Sequence, residues 1–194
     1  DTFGQPTQKI IRLNEVMLNK NYAIVITTNA GLWRYMIGDT IRFTSLNPYR
    51  IRVTGRTKHH LNVFGEELMV ENTEMALTVT CKELNCEIID YTVAPIFMEG
   101  KQKGAHEWMI EFKKLPENLK TFGEVLDKNI QNLNSDYEAK RHNNMTLNPL
   151  VLNVARQNLF YDWLKENDKL GGQHKIPRLS NDRNYMEQLL RMQT

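Results

Sequence analysis

Several common chemistries are excluded by what this chain does not contain. It has two cysteines, Cys81 and Cys86, and no Cys-x-x-Cys pair, which leaves neither a disulfide scaffold nor a cysteine-based zinc site. The two thiols fall at the end of a helical stretch and on its exit, a spacing expected to turn them apart, and a reducing compartment follows. No apolar run approaches the ~20 residues of a membrane helix, and the first residues lack the pattern of a secretion signal. The expected location is cytoplasmic, with no membrane partner. No Gly-x-Gly-x-x-Gly and no Gly-x-x-x-x-Gly-Lys-Ser/Thr occurs, so neither standard phosphate loop is present. Charge of one sign is lacking too: 25 basic and 23 acidic residues, interspersed, give a net +2 and no basis for a nucleic-acid partner.

What is present is ordinary globular composition, 41% hydrophobic and 25% charged over 194 residues, enough for one large domain or two small ones. The first part reads as short β-runs at 9–13, 22–28, 32–37, 40–43 and 49–53, separated by Asn, Gly or Pro turns and without a helix. In the last run Arg50 and Arg52 alternate with Ile51 and Val53, which predicts one wet and one buried face. The texture turns basic and polar at 54–58, then strand-like at 59–64. A helix is predicted over 66–84, with Leu68, Met75 and Val79 on its core face and Glu66, Glu67 and Glu71 in its first two turns, where the helix dipole favours anions.

Strands at 87–98 and 106–113 flank a glycine-containing hairpin loop, and a helix over 119–134 puts Phe122, Val125, Leu126, Ile130 and Leu133 on one face. Residues 135–148 read as a polar loop and 150–154 as a short strand. Leu159, Phe160, Trp163 and Leu164 mark another amphipathic helix. Ser180-Asn181-Asp182 offers an N-cap for a last helix carrying Tyr185, Met186, Leu189 and Leu190. The expected fold class is α+β: a small antiparallel β subdomain, residues 1–54, followed by an α+β domain, residues 55–194.

Two stretches concentrate the chemistry. From Tyr22 to Asp39 an apolar run stops at Asn29-Ala30-Gly31, resumes through Trp33 and Tyr35 around Arg34, and ends on Gly38-Asp39. A carboxylate at a strand end accepts hydrogen bonds from two vicinal hydroxyls, the usual recognition of a ribose, and Gly38 lets the backbone come close. Arg34 and Tyr35 fit structural roles as well as ligand contact. The second stretch opens with Gly55-Arg56-Thr57-Lys58 and turns at Phe64-Gly65-Glu66-Glu67; there a guanidinium is placed to reach a phosphate or ribose oxygen. Weaker candidates read as structural. His59 and His60 alternate on a strand and cannot share a metal, His106 and His142 stand isolated, and Lys101, Lys103, Lys140 and Arg141 read as solvated loop cations. No metal site is expected in the protein, and no Ser/His/Asp or Cys/His arrangement stands out.

Tyr35-Met36-Ile37-Gly38-Asp39 resembles the Tyr-Arg-x-Gly-Asp motif of acyl-adenylate-forming enzymes. The wider Gly-Leu-Trp-Arg-Tyr-x-Ile-Gly-Asp is similar to one branch, the auxin-responsive acyl acid amido synthetases, or Gretchen Hagen family. Gly55-Arg56-Thr57-Lys58 with Gly65-Glu66-Glu67 resembles the superfamily's hinge motif, and Gln173-His174-Lys175-Ile176-Pro177-Arg178 is similar to the family's Gln-Tyr-Lys-x-Pro-Arg. Lys58 stands where Asp is common, and His174 where Tyr is common.

The resemblance implies that residues 1–54 end a large adenylation domain, otherwise upstream, and that 55–194 form the small mobile domain of an adenylate-forming ligase. It implies ATP and Mg²⁺ as cofactors, and a small carboxylic acid and an amino acid as substrates. The 194 residues alone would then be inactive. Asp39 would hold the ribose, with Tyr35 beside it, Arg56 would contact the nucleotide, and Lys58 would be the hinge. Lys175 would be catalytic: a carboxylate attacking the α-phosphate brings anions together, and a fixed cation offsets their repulsion. A thiol acceptor such as coenzyme A, or a non-catalytic binding module, are the alternatives.

Overall fold

The computed structural model describes residues 9–56, 60–100, 102–142, 146–171 and 175–193. The chain divides into two compact units, Asp1–Lys58 and His59–Thr194. Among the described residues no helix is long and apolar enough to cross a membrane. The antiparallel sheet of the first unit and the mixed sheet with helices of the second give the α+β class expected from the sequence.

The first unit is a three-stranded antiparallel sheet, β1 (Asn21–Ile26), β2 (Tyr35–Leu46) and β3 (Tyr49–Arg56), in chain order. The runs at 32–37 and 40–43 are not separate strands: 35–46 is continuous, because Gly38 at φ +88° bends the backbone without ending its pairing. Residues 9–12 are not a strand, and a single 3₁₀ turn, Leu13–Glu15, stands where no helix was expected. Its Glu15 carboxylate accepts from the Arg12 N–H at 2.8 Å. The core is small, centred on Ile41 and Phe43, with Tyr22 and Tyr49 edge-on to Phe43 at 6.1 and 6.0 Å. The expected buried face of β3 is absent. Ile51 and Val53 are 50% and 62% exposed, since among the described residues no layer of this unit covers that side of the edge strand.

The second unit is built on β6 (Glu87–Ile96), β7 (Ala105–Lys114) and β8 (Val151–Val154), with β6 and β7 antiparallel and β8 parallel to β7. The hairpin appears as the glycines of its loop predict. Alternation along β7 splits the core into two layers: Trp108 and Ile110 face one side, Met109 the other. On the first side pack α1 (Val70–Glu83), α2 (Leu119–Leu133), α3 (Ser135–Arg141) and the short pair β4 (His60–Leu61) and β5 (Leu68–Met69). On the second pack α4 (Leu159–Glu166) and α5 (Asn184–Gln193) through Leu159, Phe160, Trp163, Met186 and Leu189.

Helices α2, α4 and α5 turn inward the faces that their periodicity selects, with Phe122, Leu126, Ile130, Leu159, Phe160, Trp163, Met186 and Leu189 buried and Val125, Leu133, Leu164, Tyr185 and Leu190 half-buried at their margins. Helix α1 does not. It starts at Val70, after Leu68 has paired in β5, and its buried residues are Thr73, Ala76, Leu77 and Thr80, whereas Met75 and Val79 are 55% and 45% exposed. Small and hydroxylated side chains let the helix lie close, with Thr80 taking a bond from Asn129 of α2 at 3.0 Å. Residues 135–141 form a helix rather than a loop: Asn134 ends α2 and caps α3, its side chain accepting from the Tyr137 N–H at 2.7 Å. Arg141 is therefore no solvated cation. It is buried on Asp127, with Nη2 to Oδ2 at 2.8 Å, and its Nη1 reaches the Leu147 carbonyl at 2.9 Å.

The two cysteines form no disulfide, as the sequence led us to expect. The Cys86 N–H donates to the Cys81 carbonyl at 3.1 Å. Burial first, then the Cys86 thiol beside it, pushes the Cys81 thiol up to about 12. Both are free.

Candidate functional site

The first unit places the Gly-Asp pair on a bulge. Between Ala23 and Val25 β1 advances by two residues, while the partners on β2 run from Thr40 to Met36, an advance of four. The surplus falls on 37–39, and Gly38 takes up the positive φ that a side chain would resist. A bulge of this kind re-aims the side chain it carries. On the other flank Asp39 is the register partner of Arg56, and Thr40 that of Gly55. The two nucleotide-binding candidates, far apart in sequence, are thus cross-strand neighbours at the backbone.

A second irregularity lies directly beside them. Ile41 pairs with Val53, so Thr54 is left over in β3. Its buried hydroxyl bonds Thr40 Oγ1 at 3.0 Å and the Asn21 side chain, tying all three strands together under the bulge. Asp39 is half-buried. Tyr35 opens β2 and is 51% exposed. Before it, Arg34 sits at φ +47° with its N–H on Thr27 Oγ1 at 3.1 Å, closing the loop from β1. Lys58 lies outside the described residues.

The second unit carries Lys175 on the segment before α5. Gln173 and His174 lie outside the described residues. Lys175 is exposed, and Ile176 next to it is buried in the α4/α5 core. The following residues join the free edge of β6: the Val93 N–H donates to the Arg178 carbonyl at 2.9 Å, and the Ser180 N–H to the Val93 carbonyl at 3.0 Å.

The Phe64 to Glu66 turn was expected to open a helix, but Glu66 is a buried residue of the core. Its Oε1 meets His106 Nε2 at 2.9 Å, its Oε2 accepts from the Phe64 N–H at 2.7 Å, and neither side chain of the pair is exposed. Burial raises the Glu66 pKa; the His106 bond and charge, with the backbone amides, outweigh it and hold the carboxyl below its ordinary range. His106 is not isolated: it stacks between Phe64 at 6.2 Å and Tyr137 at 5.2 Å. Among the described residues no group of three His, Cys, Asp or Glu could hold a metal ion.

The fold resembles that of part of a solved acyl acid amido synthetase. The solved GH3.15 acyl acid amido synthetase superposes with a TM-score of 0.73 over 95% of this chain and 36% of its own, at 21% identity. The chain belongs to the GH3 family: the profile of the GH3 family C-terminal domain matches residues 71–184, and that of the GH3 family central domain matches 1–56. Among curated relatives, it is 26% identical to an indole-3-acetic acid-amido synthetase, GH3.3 of Arabidopsis thaliana, over 95% of this chain and 33% of that protein. It is 27% identical to a jasmonoyl-L-amino acid synthetase, GH3.5 of Oryza sativa subsp. japonica, over 90% of this chain and 31% of that one. The chain thus spans about a third of the length of these relatives.

Proposed function

We propose that this chain is the central and C-terminal part of an ATP-dependent ligase that activates a small carboxylic acid as its acyl-adenylate and passes the acyl group to the amine of an amino acid. The carrying observation is the β2 bulge that sets Gly38-Asp39 opposite Arg56, in a chain of a family whose named relatives are amido synthetases. Those names favour an amine over a thiol acceptor.

The donor set fits a nucleotide. Asp39 would supply the acceptor oxygens for ribose hydroxyls, with Tyr35 beside it, Gly38 permits close backbone approach, and Arg56 is the guanidinium assigned to the nucleotide. ATP would arrive with Mg²⁺ on its phosphates. In the first half-reaction a substrate carboxylate oxygen bonds the α-phosphorus as the bond to pyrophosphate breaks. Negative charge gathers there, and the Lys175 ammonium offsets it. In the second, the amine attacks the acyl carbonyl and AMP leaves. Residues 1–54 are read as the end of the large domain and 55–194 as the mobile small one, with Lys58 as the hinge that exchanges the two states. Turnover is expected from the longer protein and not from these 194 residues by themselves.

The test is product analysis with the full-length gene product, ATP, and panels of acids and amino acids. The expected product is the amide conjugate together with AMP and pyrophosphate. Asp39→Ala should raise KM for ATP by on the order of 10 to 100-fold, the loss of hydrogen bonds to a charged group. Lys175→Ala should lower adenylation by on the order of 100 to 1000-fold. Conjugate formation untouched by both variants contradicts the assignment.

A further inference from the structure

Lys175 is exposed, yet the chain on its C-terminal side is held more firmly than covering a sheet edge requires. Pairing of 178–180 with Val93 already protects the open edge of β6. Two further attachments lie closer to the lysine. The Thr92 hydroxyl, from a side chain that is 1% exposed, donates to the Pro177 carbonyl at 2.6 Å. The Arg178 guanidinium lies 4.5 Å from the centre of the Tyr91 ring, donates to the Tyr91 carbonyl at 3.1 Å, and pairs with Asp90.

The platform beneath is rigid. Tyr91 stacks on Trp108 at 5.7 Å with 18° between the rings, and its hydroxyl meets Thr73 Oγ1 of α1 at 2.9 Å. Ile176 anchors on the opposite side of the sheet, in the α4/α5 core. Lys175 is therefore the first residue beyond a segment fixed on both faces of the sheet.

We propose that Thr92 and Arg178, with Tyr91 and Asp90, form a clamp that positions Lys175 for adenylation. This rests on the reading of Lys175 given above. Thr92 and Arg178 are positioning residues and touch no substrate. The gain is pre-organisation: an ammonium on a loose loop must lose conformational freedom in the transition state, whereas one beside a fixed carbonyl and a stacked guanidinium has already lost much of it. An arginine suits the place because its planar fork stacks on the ring while it bonds a carbonyl and a carboxylate at once; a lysine does only part of this.

The experiment measures the two half-reactions of the full-length gene product separately: ATP–pyrophosphate exchange, and amide formation from synthetic acyl-adenylate and amine. Thr92→Val is nearly isosteric and removes one bond; Arg178→Ala and Arg178→Lys remove all or part of the other attachment. Exchange kcat is expected to fall by on the order of 10 to 100-fold in Thr92→Val and Arg178→Ala, as for misplacement of a catalytic group, with KM for ATP within about twofold of wild type. Arg178→Lys is expected to recover part of the loss, and amide formation from supplied acyl-adenylate to stay intact. In a Lys175→Ala background Thr92→Val should add nothing, because the two act through one group. Equal loss in both half-reactions, or full additivity with Lys175→Ala, overturns the positioning role.

A readout free of catalysis separates the two levels of the argument. Hydrogen exchange in the 170–180 region should show protection of the Ser180 amide falling by on the order of tenfold in Thr92→Val, the loss of one net hydrogen bond. Unchanged protection overturns the clamp itself. A wild-type protein with no exchange activity for any acid, but with Ser180 deprotected in the variant, overturns the function assigned to Lys175 and leaves the clamp standing.

Discussion

The buried pair of Glu66 and His106 shows how much one residue contributes and how it was misread. Placed in the first turn of a helix, Glu66 would be a surface anion worth a few tenths of a kcal/mol. Buried on His106, it holds the turn at Phe64 against the sheet. His106→Ala leaves a buried carboxylate without that partner and should cost about 3–5 kcal/mol in urea unfolding. Because the folded pKa of Glu66 lies below its unfolded value, the carboxylate contributes stability that is complete above the unfolded value of about 4.3. That contribution is lost as pH falls from there through the lower folded pKa. Urea midpoints between pH 6 and 3 should drop more steeply in wild type than in Glu66→Gln; parallel acid limbs would contradict the pairing. The place of Gly38-Asp39 at the end of an apolar run was legible. Glu66 was not, since three acidic residues near a helix start suggest a dipole, and the histidine that claims one of them is 40 residues away.

Elements were legible where side-chain size and polarity alternate together. Helix α2 carries Phe122, Leu126 and Ile130 inward against Lys and Asn outward, so its face was plain. Helix α1 inverts the usual contrast, turning Thr73, Ala76 and Thr80 inward and Met75 outward. Leu77→Ala should therefore destabilise by about 2–5 kcal/mol, while Met75→Ala stays within about 0.5 kcal/mol; thermal or urea unfolding of the two variants checks the order, and equal losses would contradict the face. Helix α3 was missed because one residue, Asn134, serves as the end of α2 and the cap of α3, leaving no loop to signal a break. In the β6–β7 hairpin, Gly104 was read as a turn glycine, but it is buried, and a Cβ there would strike the Phe64 ring that stacks on His106. Gly104→Ala should cost about 1–3 kcal/mol through overpacking, again by urea unfolding; a neutral result would show that the ring has room to turn.

For the whole molecule, the α+β class was legible from strand alternation and helix periodicity, and the family from three short motifs, because each combines backbone constraint with charge: Gly38 with Asp39, Gly55 with Arg56, Pro177 with Lys175. The pairing of Asp39 with Arg56 was not, as register depends on bulges that no local pattern announces. Nor was the exposure of Ile51 and Val53, which alternation alone assigns to a core. Adenylation of an acid by the protein this chain belongs to is the function proposed above. It is tested most directly by acid-dependent exchange of labelled pyrophosphate into ATP, with the full-length gene product beside its Asp39→Ala and Lys175→Ala variants. The expected result is exchange that requires one class of carboxylic acid, needs no amine, and is lost by at least about 100-fold without Lys175. Amide or thioester formation with no exchange at any acid, or exchange indifferent to Asp39 and Lys175, would contradict it.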